Sequence, residues 1–275
     1  MPNFPEDDAI ATVFKAISIS EKLSKELILK GGNALAKVFS SVRASVDLDF
    51  TDENDYSKMA QKNLELIKDE ISNELNKGLR AVLDNSKFEQ LVIQKSVIKP
   101  NNLENPTFPA IEIKIGYSES LEKPPPFSDV VKIEISLNDL ICEKTSHKVE
   151  NGQSLKVSSI HDILSEKLRS LIQQKEEIRD RYRPNDVFDI WFYHKRMYKT
   201  LDYTKISKFL IKKSKGKIPD HLVRKHTFIN DPEIKERANV GFESIKERVT
   251  NVNFPTFEDA YSEVLKLVTK LDIPD

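Results

Sequence analysis

The spacing of apolar residues in the first part of the chain predicts helices and strands in mixed order. Ile10, Val13, Phe14 and Ile17 recur at helical spacing, which predicts an amphipathic helix over 8–23. The apolar run 27–29 stops at two adjacent glycines, so we expect a buried strand, a tight turn and a helix over 34–39. Residues 46–51 alternate between apolar and mostly acidic side chains, as in a strand with one apolar face. Further expected elements are a charged helix over 55–83 and strands over 88–97, 111–115 and 131–137.

Helical spacing replaces these strand patterns beyond about residue 155. Helices are expected over 159–174, 186–197, 203–213, 231–249 and 256–271. The change predicts an α+β protein, with a mixed α/β core over 1–155 and a helical domain over 156–275. The three prolines at 124–126 exclude regular structure between the last two strands of the core.

Composition and charge exclude several classes of protein. Lys and Arg number 43 against 44 Asp and Glu, so the net charge indicates no partner. The one cysteine, Cys142, excludes an internal disulfide and a Cys-x-x-Cys metal site. No apolar run approaches the roughly 20 residues that span a bilayer, and the first residues lack a secretory pattern. We therefore expect a cytoplasmic protein without a membrane segment.

Three carboxylates are candidates for a metal site. Asp47 and Asp49 lie two residues apart on one strand, so both point to the same face, roughly 6–7 Å apart. Glu134 lies on the polar face of the strand over 131–137 and joins them if the two strands are neighbours. Mg²⁺ prefers oxygen ligands, and phosphoryl transfer with two metal ions uses such a set. The alternatives are a solvent-facing strand edge and a salt bridge from Glu134 to Lys132 or Lys114.

Gly31 and Gly32 lie between a predicted strand and a predicted helix. Glycines let backbone N–H groups approach phosphate oxygens closely, and a helix start favours anions. A plain tight turn is the alternative.

Lys167 lies on the apolar stripe of the helix predicted over 159–174. A lysine there must extend to solvent or meet an anion, which is either a polyphosphate or a structural aspartate. Asp186 and Asp189 lie one turn apart at the start of a very apolar helix, where the helix dipole favours carboxylates. Alternatively one of them, for which we favour Asp186, pairs with Lys167 and orients it over a substrate.

Four segments of the chain, in order, resemble motifs of the AbiEii/AbiGii toxin nucleotidyltransferases. Leu-Lys-Gly-Gly-Asn-Ala-Leu over 29–35 and Arg-Ala-Ser-Val-Asp-Leu-Asp-Phe over 43–50 resemble the opening of that family. Residues 165–171 and 186–191 resemble its later lysine and aspartate motifs, so the resemblance spans about 27–193.

The resemblance implies a fold and an activity. The implied fold is a polymerase-β-like nucleotidyltransferase core, with a mixed sheet flanked by helices, followed by a helical C-terminal domain. The implied substrate is an NTP with Mg²⁺ or Mn²⁺. The implied role is the toxin of a toxin–antitoxin or abortive-infection pair, neutralised by a cognate antitoxin, and some relatives add nucleotides to tRNA acceptor ends.

The resemblance also implies roles for particular residues. Gly31 and Gly32 would hold the triphosphate, together with Asn33, which stands where the family often has Ser or Thr. The metal ligands would be Asp47, Asp49 and Glu134. Lys167 would contact the nucleotide, with Asp186 behind it.

A segment with many positively charged residues and almost no acidic ones is a candidate binding surface for the molecule that accepts the nucleotide. Between Lys205 and Lys225 the only acidic residue is Asp220, and the positive residues are Lys205, Lys208, Lys212, Lys213, Lys215, Lys217, Arg224 and Lys225. The run is either a solvated surface or a footprint for the phosphate backbone of an RNA, such as a tRNA. A small-molecule acceptor, a protein acceptor and a nucleotide-binding regulatory module without turnover stay open as alternatives.

Overall fold

The computed structural model describes residues 6–54, 56, 61–100, 109–149 and 152–275. The chain forms two compact units. The first unit holds the described residues before Ser40 together with those from Ser45 to Ser158. The second unit holds Ser159–Asp275 and also the short segment Ser40–Ala44. That segment directly precedes the strand of Asp47 and Asp49.

A mixed sheet forms the centre of the first unit. Its strands in the described part are β1 (Leu27–Lys30), β2 (Asp47–Asp52), β3 (Gln90–Lys99), β4 (Ala110–Ser118), β5 (Val130–Ser136), β6 (Lys144–Lys148) and β7 (Ser154–Ser158). They lie in the order β3-β4-β5-β2-β1-β7-β6. The central strand β2 pairs antiparallel with β1 and parallel with β5. The two faces differ, because Leu48 and Phe50 are buried while Asp47 and Asp49 point to the opposite side.

Helices cover the apolar face of this sheet. They are α1 (Asp7–Ile19), α2 (Glu21–Glu26), α3 (Gly31–Lys37) and α4 (Gln61–Leu83). Phe14 of α1 packs on Phe50 of β2, with ring centroids 6.2 Å apart. The prediction of one helix over 8–23 is wrong, because Ser20 is extended and its hydroxyl caps α2 by accepting from the Leu23 N–H. Residues 55 and 57–60 of the predicted charged helix lie outside the described residues.

The second unit is helical. Its helices are α5 (Ile160–Gln173), α6 (Pro184–Met197), α7 (Tyr203–Ser214), α8 (Lys225–Asn230), α9 (Pro232–Asn239) and α10 (Phe257–Thr269). The single helix predicted over 231–249 is wrong. Helix α9 ends at Asn239, Gly241 takes a left-handed φ of 78°, and a 3₁₀ segment, Glu243–Arg248, follows. Among the helices described here, none is long and apolar enough to cross a membrane.

Candidate active site

The sheet brings Asp49 and Glu134 side by side. Strands β2 and β5 run parallel in a register that pairs Asp49 with Glu134 and Asp47 with Lys132. Register partners on adjacent strands share a face, so both carboxylates lie on the polar face of the sheet. The next strand, β4, places Glu112 opposite Glu134. The register therefore makes Asp49 and Glu134 neighbours on one face, whereas Asp47 has a lysine as its partner.

Lysines on the same face balance part of this negative charge. Lys132 lies 3.8 Å from Glu134, so the salt bridge considered as an alternative role for Glu134 is present. Glu112 accepts from Lys99 at 2.7 Å, and this bond holds the pKa of Glu112 below its ordinary value. Asp47 and Asp49 lie on this face at the start of β2, and both side chains are half-buried.

The oxygen donors on β2 suit a Mg²⁺ ion that arrives with a substrate. In the described part of the chain, no group of three or more His, Cys, Asp or Glu side chains is close enough to hold a metal ion by itself. The expected convergence of three carboxylates on one ion is therefore not seen there. Mg²⁺ is, however, usually bound through one or two carboxylates, with water and substrate phosphates as its other ligands. Asp47 and Asp49 meet that smaller requirement.

Gly31 lies directly against the Asp49 carboxylate. It is the first residue of α3 and has a left-handed φ of 66°. A Cβ atom built at this position would lie 2.3 Å from Asp49 Oδ2. Any other residue would therefore be strained in its backbone and would also displace the carboxylate. The backbone of the glycine turn and the Asp49 side chain are therefore in direct contact.

Asn33 fixes the start of the acidic strand. Its buried side-chain amide donates to the carbonyl oxygen of Ser45 at 3.0 Å and to that of Asp47 at 2.7 Å. An amide nitrogen has two N–H donors, whereas a Ser or Thr hydroxyl has one. The amide thus uses both donors within the protein, and Asn33 acts on the site by holding the Asp47 backbone.

The second unit contains a buried cluster of four charged residues. The Lys167 ammonium lies 2.8 Å from Asp186 Oδ1 and 2.7 Å from Asp189 Oδ2. Arg43 donates from Nε and Nη2 to the two oxygens of Asp189, at 2.9 and 2.7 Å. Asp189 is fully buried and Lys167 is only 6% exposed, so Lys167 does not extend to solvent. It pairs with the favoured Asp186 and equally with Asp189.

The ion pairs of this cluster keep Arg43, Lys167 and Asp189 charged in spite of burial. Burial alone would lower the pKa of Lys167, but the charges of Asp186 and Asp189 outweigh it and raise that pKa above the ordinary value. Burial alone would raise the pKa of Asp189, but Arg43 and Lys167 together hold it below the ordinary value. We call Arg43, Lys167, Asp186 and Asp189 the buried charge cluster.

Arg43 and Asp189 are the members of this cluster that the sequence analysis did not assign to the site. Asp189 was considered as a partner of Lys167, but its second cation could not be identified from the sequence, which contains 43 Lys and Arg residues. Arg43 lies inside the motif that carries Asp47 and Asp49, and this position is the one signal that could have drawn attention to it.

The basic segment Lys205–Lys225 is less uniform than its sequence suggested. Lys213 is almost fully buried, with its ammonium 3.0 Å from Asp162 and 3.6 Å from Glu166. Lys213 is therefore a structural residue, and the prediction that it belongs to a surface that binds RNA is wrong. Lys225 pairs with Asp275 at 3.3 Å. The exposed lysines of the segment are Lys208, Lys212 and Lys215, and we call these three the surface lysines.

The mixed sheet and the acidic strand beside a glycine turn agree with the expected nucleotidyltransferase class, and the family match shows that class. Residues 16–263 match the sequence model of the family described as "Nucleotidyl transferase AbiEii toxin, Type IV TA system". The chain therefore belongs to the AbiEii family of nucleotidyltransferase toxins, and its substrate class is the nucleoside triphosphate. A search of curated proteins found no match to this chain.

Solved structures from two organisms share the fold. MenT4, a nucleotidyltransferase toxin from Mycobacterium tuberculosis H37Rv, is 16% identical with a TM-score of 0.55, over 97% of this chain and 85% of that one. JHP933 from Helicobacter pylori is 14% identical with a TM-score of 0.53, over 94% of this chain and 87% of that one. The expected α+β fold, the family and the nucleotidyltransferase class are confirmed.

Proposed function

We propose that this toxin transfers a nucleoside monophosphate from an NTP, with Mg²⁺ or Mn²⁺, to an RNA acceptor such as the 3′ end of a tRNA. A cognate antitoxin would neutralise it in the cytoplasm. The observation that supports the proposal best is the approach of Gly31 to Asp49, where a Cβ atom would lie 2.3 Å from the carboxylate oxygen. A turn suited to phosphates thus adjoins a carboxylate suited to the metal ion of an NTP.

In the proposed reaction the acceptor hydroxyl attacks the α-phosphorus of the NTP. A new bond forms between that oxygen and phosphorus, the bond to the bridging oxygen breaks, and pyrophosphate leaves while the hydroxyl proton passes to solvent. Asp47 and Asp49 would hold the metal, which supplies charge stabilisation at the phosphates and activation of the hydroxyl. Backbone N–H groups of Gly31 and Gly32 would donate to the triphosphate, and Asn33 would keep β2 in place.

Glu134 and Lys167 complete the proposed set. Glu134 is the register partner of Asp49 and would be the third carboxylate of the metal site. Its negative charge would be partly balanced by Lys132. Lys167 has three N–H donors, of which Asp186 and Asp189 take two. The third donor would contact the nucleotide, with Asp186 behind the lysine.

The acceptor proposal depends on the surface lysines. Each phosphate that a lysine neutralises releases a counterion, so RNA binding through Lys208, Lys212 and Lys215 would weaken as salt rises. Contacts of this kind hold an RNA in register without reading its bases.

Labelled NTPs test the reaction. The full chain is incubated with each NTP, Mg²⁺ and total RNA, and matched reactions omit the RNA or contain EDTA. We expect label in RNA with one or more NTPs, only when Mg²⁺ is present. Label in a small molecule or in protein would replace the RNA acceptor, and label that stays in the triphosphate would favour a regulatory module without turnover.

Charge reversal tests the acceptor surface. Changing all three surface lysines to Glu should weaken RNA binding and reduce the salt slope by about 2–3, at roughly 0.7–0.9 per phosphate. NTP binding should be unchanged. Lys213 is left as it is, because a glutamate there would adjoin Asp162 and Glu166 in the interior.

A matched control reverses three exposed lysines outside the segment, Lys62, Lys77 and Lys123. This control should bind RNA with the wild-type affinity and salt slope. Equal effects of the two triple variants would rule out a specific RNA footprint at the surface lysines.

A further inference from the structure

The first unit has a cavity on the face of the sheet opposite the candidate active site. Its volume is about 450 Å³, within the range of roughly 300–1,000 Å³ that is usual for small-molecule sites. Leu29 of β1 lines it, and Leu29 is the register partner of Phe50, whereas the next residue, Lys30, is the partner of Asp49. Successive strand residues point to opposite faces, so the cavity lies on the α1 side of the sheet.

The cavity combines an apolar floor with a positive rim. The floor consists of Phe14, Leu29, Leu155 and Val157, all of them buried. The basic residues of the lining are Lys15 of α1, Lys37 of α3, and His147 and Lys148 of β6. None of the lining residues that the structure describes is acidic.

The lysines of the rim differ in how far their charge is already balanced. Lys37 has Asp7 at 3.8 Å, at the edge of ion-pair distance. Lys15 and Lys148 form no salt bridge with any carboxylate in the described ranges, although both line the cavity. Two positive charges beside an apolar floor favour a ligand that is both anionic and partly apolar.

We propose that this cavity binds a small organic anion, with its apolar body on the floor and its phosphate or carboxylate group between Lys15 and Lys148. The body would bury apolar area against Phe14 and Leu29, and the head group would form charge-assisted hydrogen bonds. The same ligand would reach Lys37, at the end of the helix that begins with Gly31. The site is separate from the proposed transfer of nucleotides, since it lies on the other face of the sheet.

Binding of a fluorescent anion tests this proposal on the full chain. The probe is anilinonaphthalene sulfonate, an aromatic sulfonate, titrated in EDTA so that metal-dependent nucleotide binding is absent. We expect saturable binding at one site. Lys15→Glu and Lys148→Glu should each weaken it by about tenfold or more, the value of a hydrogen bond to a charged group.

A third variant tests the position of the bound probe. Ala11 is exposed and lines the cavity, so Ala11→Trp should block the probe without disturbing the core. The controls are Lys62→Glu on α4 and Thr204→Trp on α7, both at exposed positions, and they should bind the probe as wild type does. Thermal melting of every variant checks that it is folded. Wild-type probe binding in folded Lys15→Glu, Lys148→Glu and Ala11→Trp would overturn the proposal.

Competition then identifies the source of the anion. Displacement of the probe by AMP but not by octanoate indicates a nucleoside phosphate, and the reverse indicates an aliphatic carboxylate. If neither displaces the probe, the cavity is not a site for such anions and the proposal fails.

Discussion

Replacing Gly31 with alanine tests whether the glycine turn positions Asp49, the carboxylate that we propose as a metal ligand. The methyl group would lie 2.3 Å from Asp49 Oδ2, whereas ordinary contacts begin at 3.4 Å, so the carboxylate must recede by at least about 1 Å. A displacement of that size costs about 10²-fold in rate where a reacting group must be held in place. The left-handed φ adds a strain of about 1–2 kcal/mol to the folded state. We therefore expect Gly31→Ala to stay folded with a modest loss of stability and to lose about 10²-fold or more in nucleotide transfer.

Gly152→Ala provides the matched control for the strain. Gly152 also has a left-handed φ, of 81°, and a Cβ atom there would meet nothing within 4 Å. Both variants should therefore lose free energy of unfolding in urea through backbone strain, with a larger loss in Gly31→Ala because of the added contact with Asp49. Only Gly31→Ala should lose Mg²⁺-dependent transfer of label from NTP. Equal transfer rates in the two folded variants would refute the role given to Gly31.

Three further predictions concern single charged groups. Asp47→Asn keeps the side-chain volume and should lower transfer by about 10²-fold or more without lowering the melting temperature in EDTA; a variant with full activity would contradict the proposed role of Asp47 as a metal ligand. Lys167→Met leaves Asp186 and Asp189 with one buried cation and should cost about 3–5 kcal/mol in urea unfolding, partly restored by adding Asp186→Asn; wild-type stability of the single variant would contradict the cluster. Burial lowers the pKa of His194 in spite of Glu263, so the folded state binds its proton less readily than the unfolded chain. The free energy of unfolding should then fall as the pH drops below about 6.5, and His194→Gln should flatten that fall.

The alternation of apolar and acidic residues was enough to predict the acidic strand. Leu48 and Phe50 define the buried face of β2, so Asp47 and Asp49 had to share the other. That Asp49 lies beside Glu134 could be expected only on the condition that their two strands are neighbours in the sheet. A parallel partner is brought in from a distant part of the chain, and no local pattern gives its register.

Two strands with few apolar residues, β6 and β7, escaped prediction. Residues 144–148, Lys-Thr-Ser-His-Lys, form the edge strand β6 and are almost wholly exposed, so they lack alternation between apolar and polar side chains. β7 has only Leu155 and Val157 as apolar residues. Their position in the sheet depends on pairing with each other and with β1, which is a property of the fold as a whole.

The breaks within predicted helices have local causes that periodicity hides. The apolar spacing of α1 continues past Ser20, yet a serine in extended conformation ends one helix and caps the next. Gly241 ends the helical pattern after α9 in a similar way, through its left-handed backbone. Capping residues within an otherwise continuous helical pattern therefore deserve more weight than the pattern alone.

Lys167 and Lys213 show how a lysine in a sequence can be assigned to the interior or to the surface. Lys167 lies three and seven residues after Leu164 and Ile160, and Lys213 lies three and seven after Leu210 and Ile206, so both continue a buried apolar stripe. Each is buried, and each meets carboxylates at 2.7–3.0 Å. The surface lysines do not lie on the apolar stripe of α7, and they are exposed. A lysine on an apolar stripe therefore predicts above all a buried carboxylate partner. Such a lysine can contact a bound phosphate only through an N–H group that does not already donate to that carboxylate.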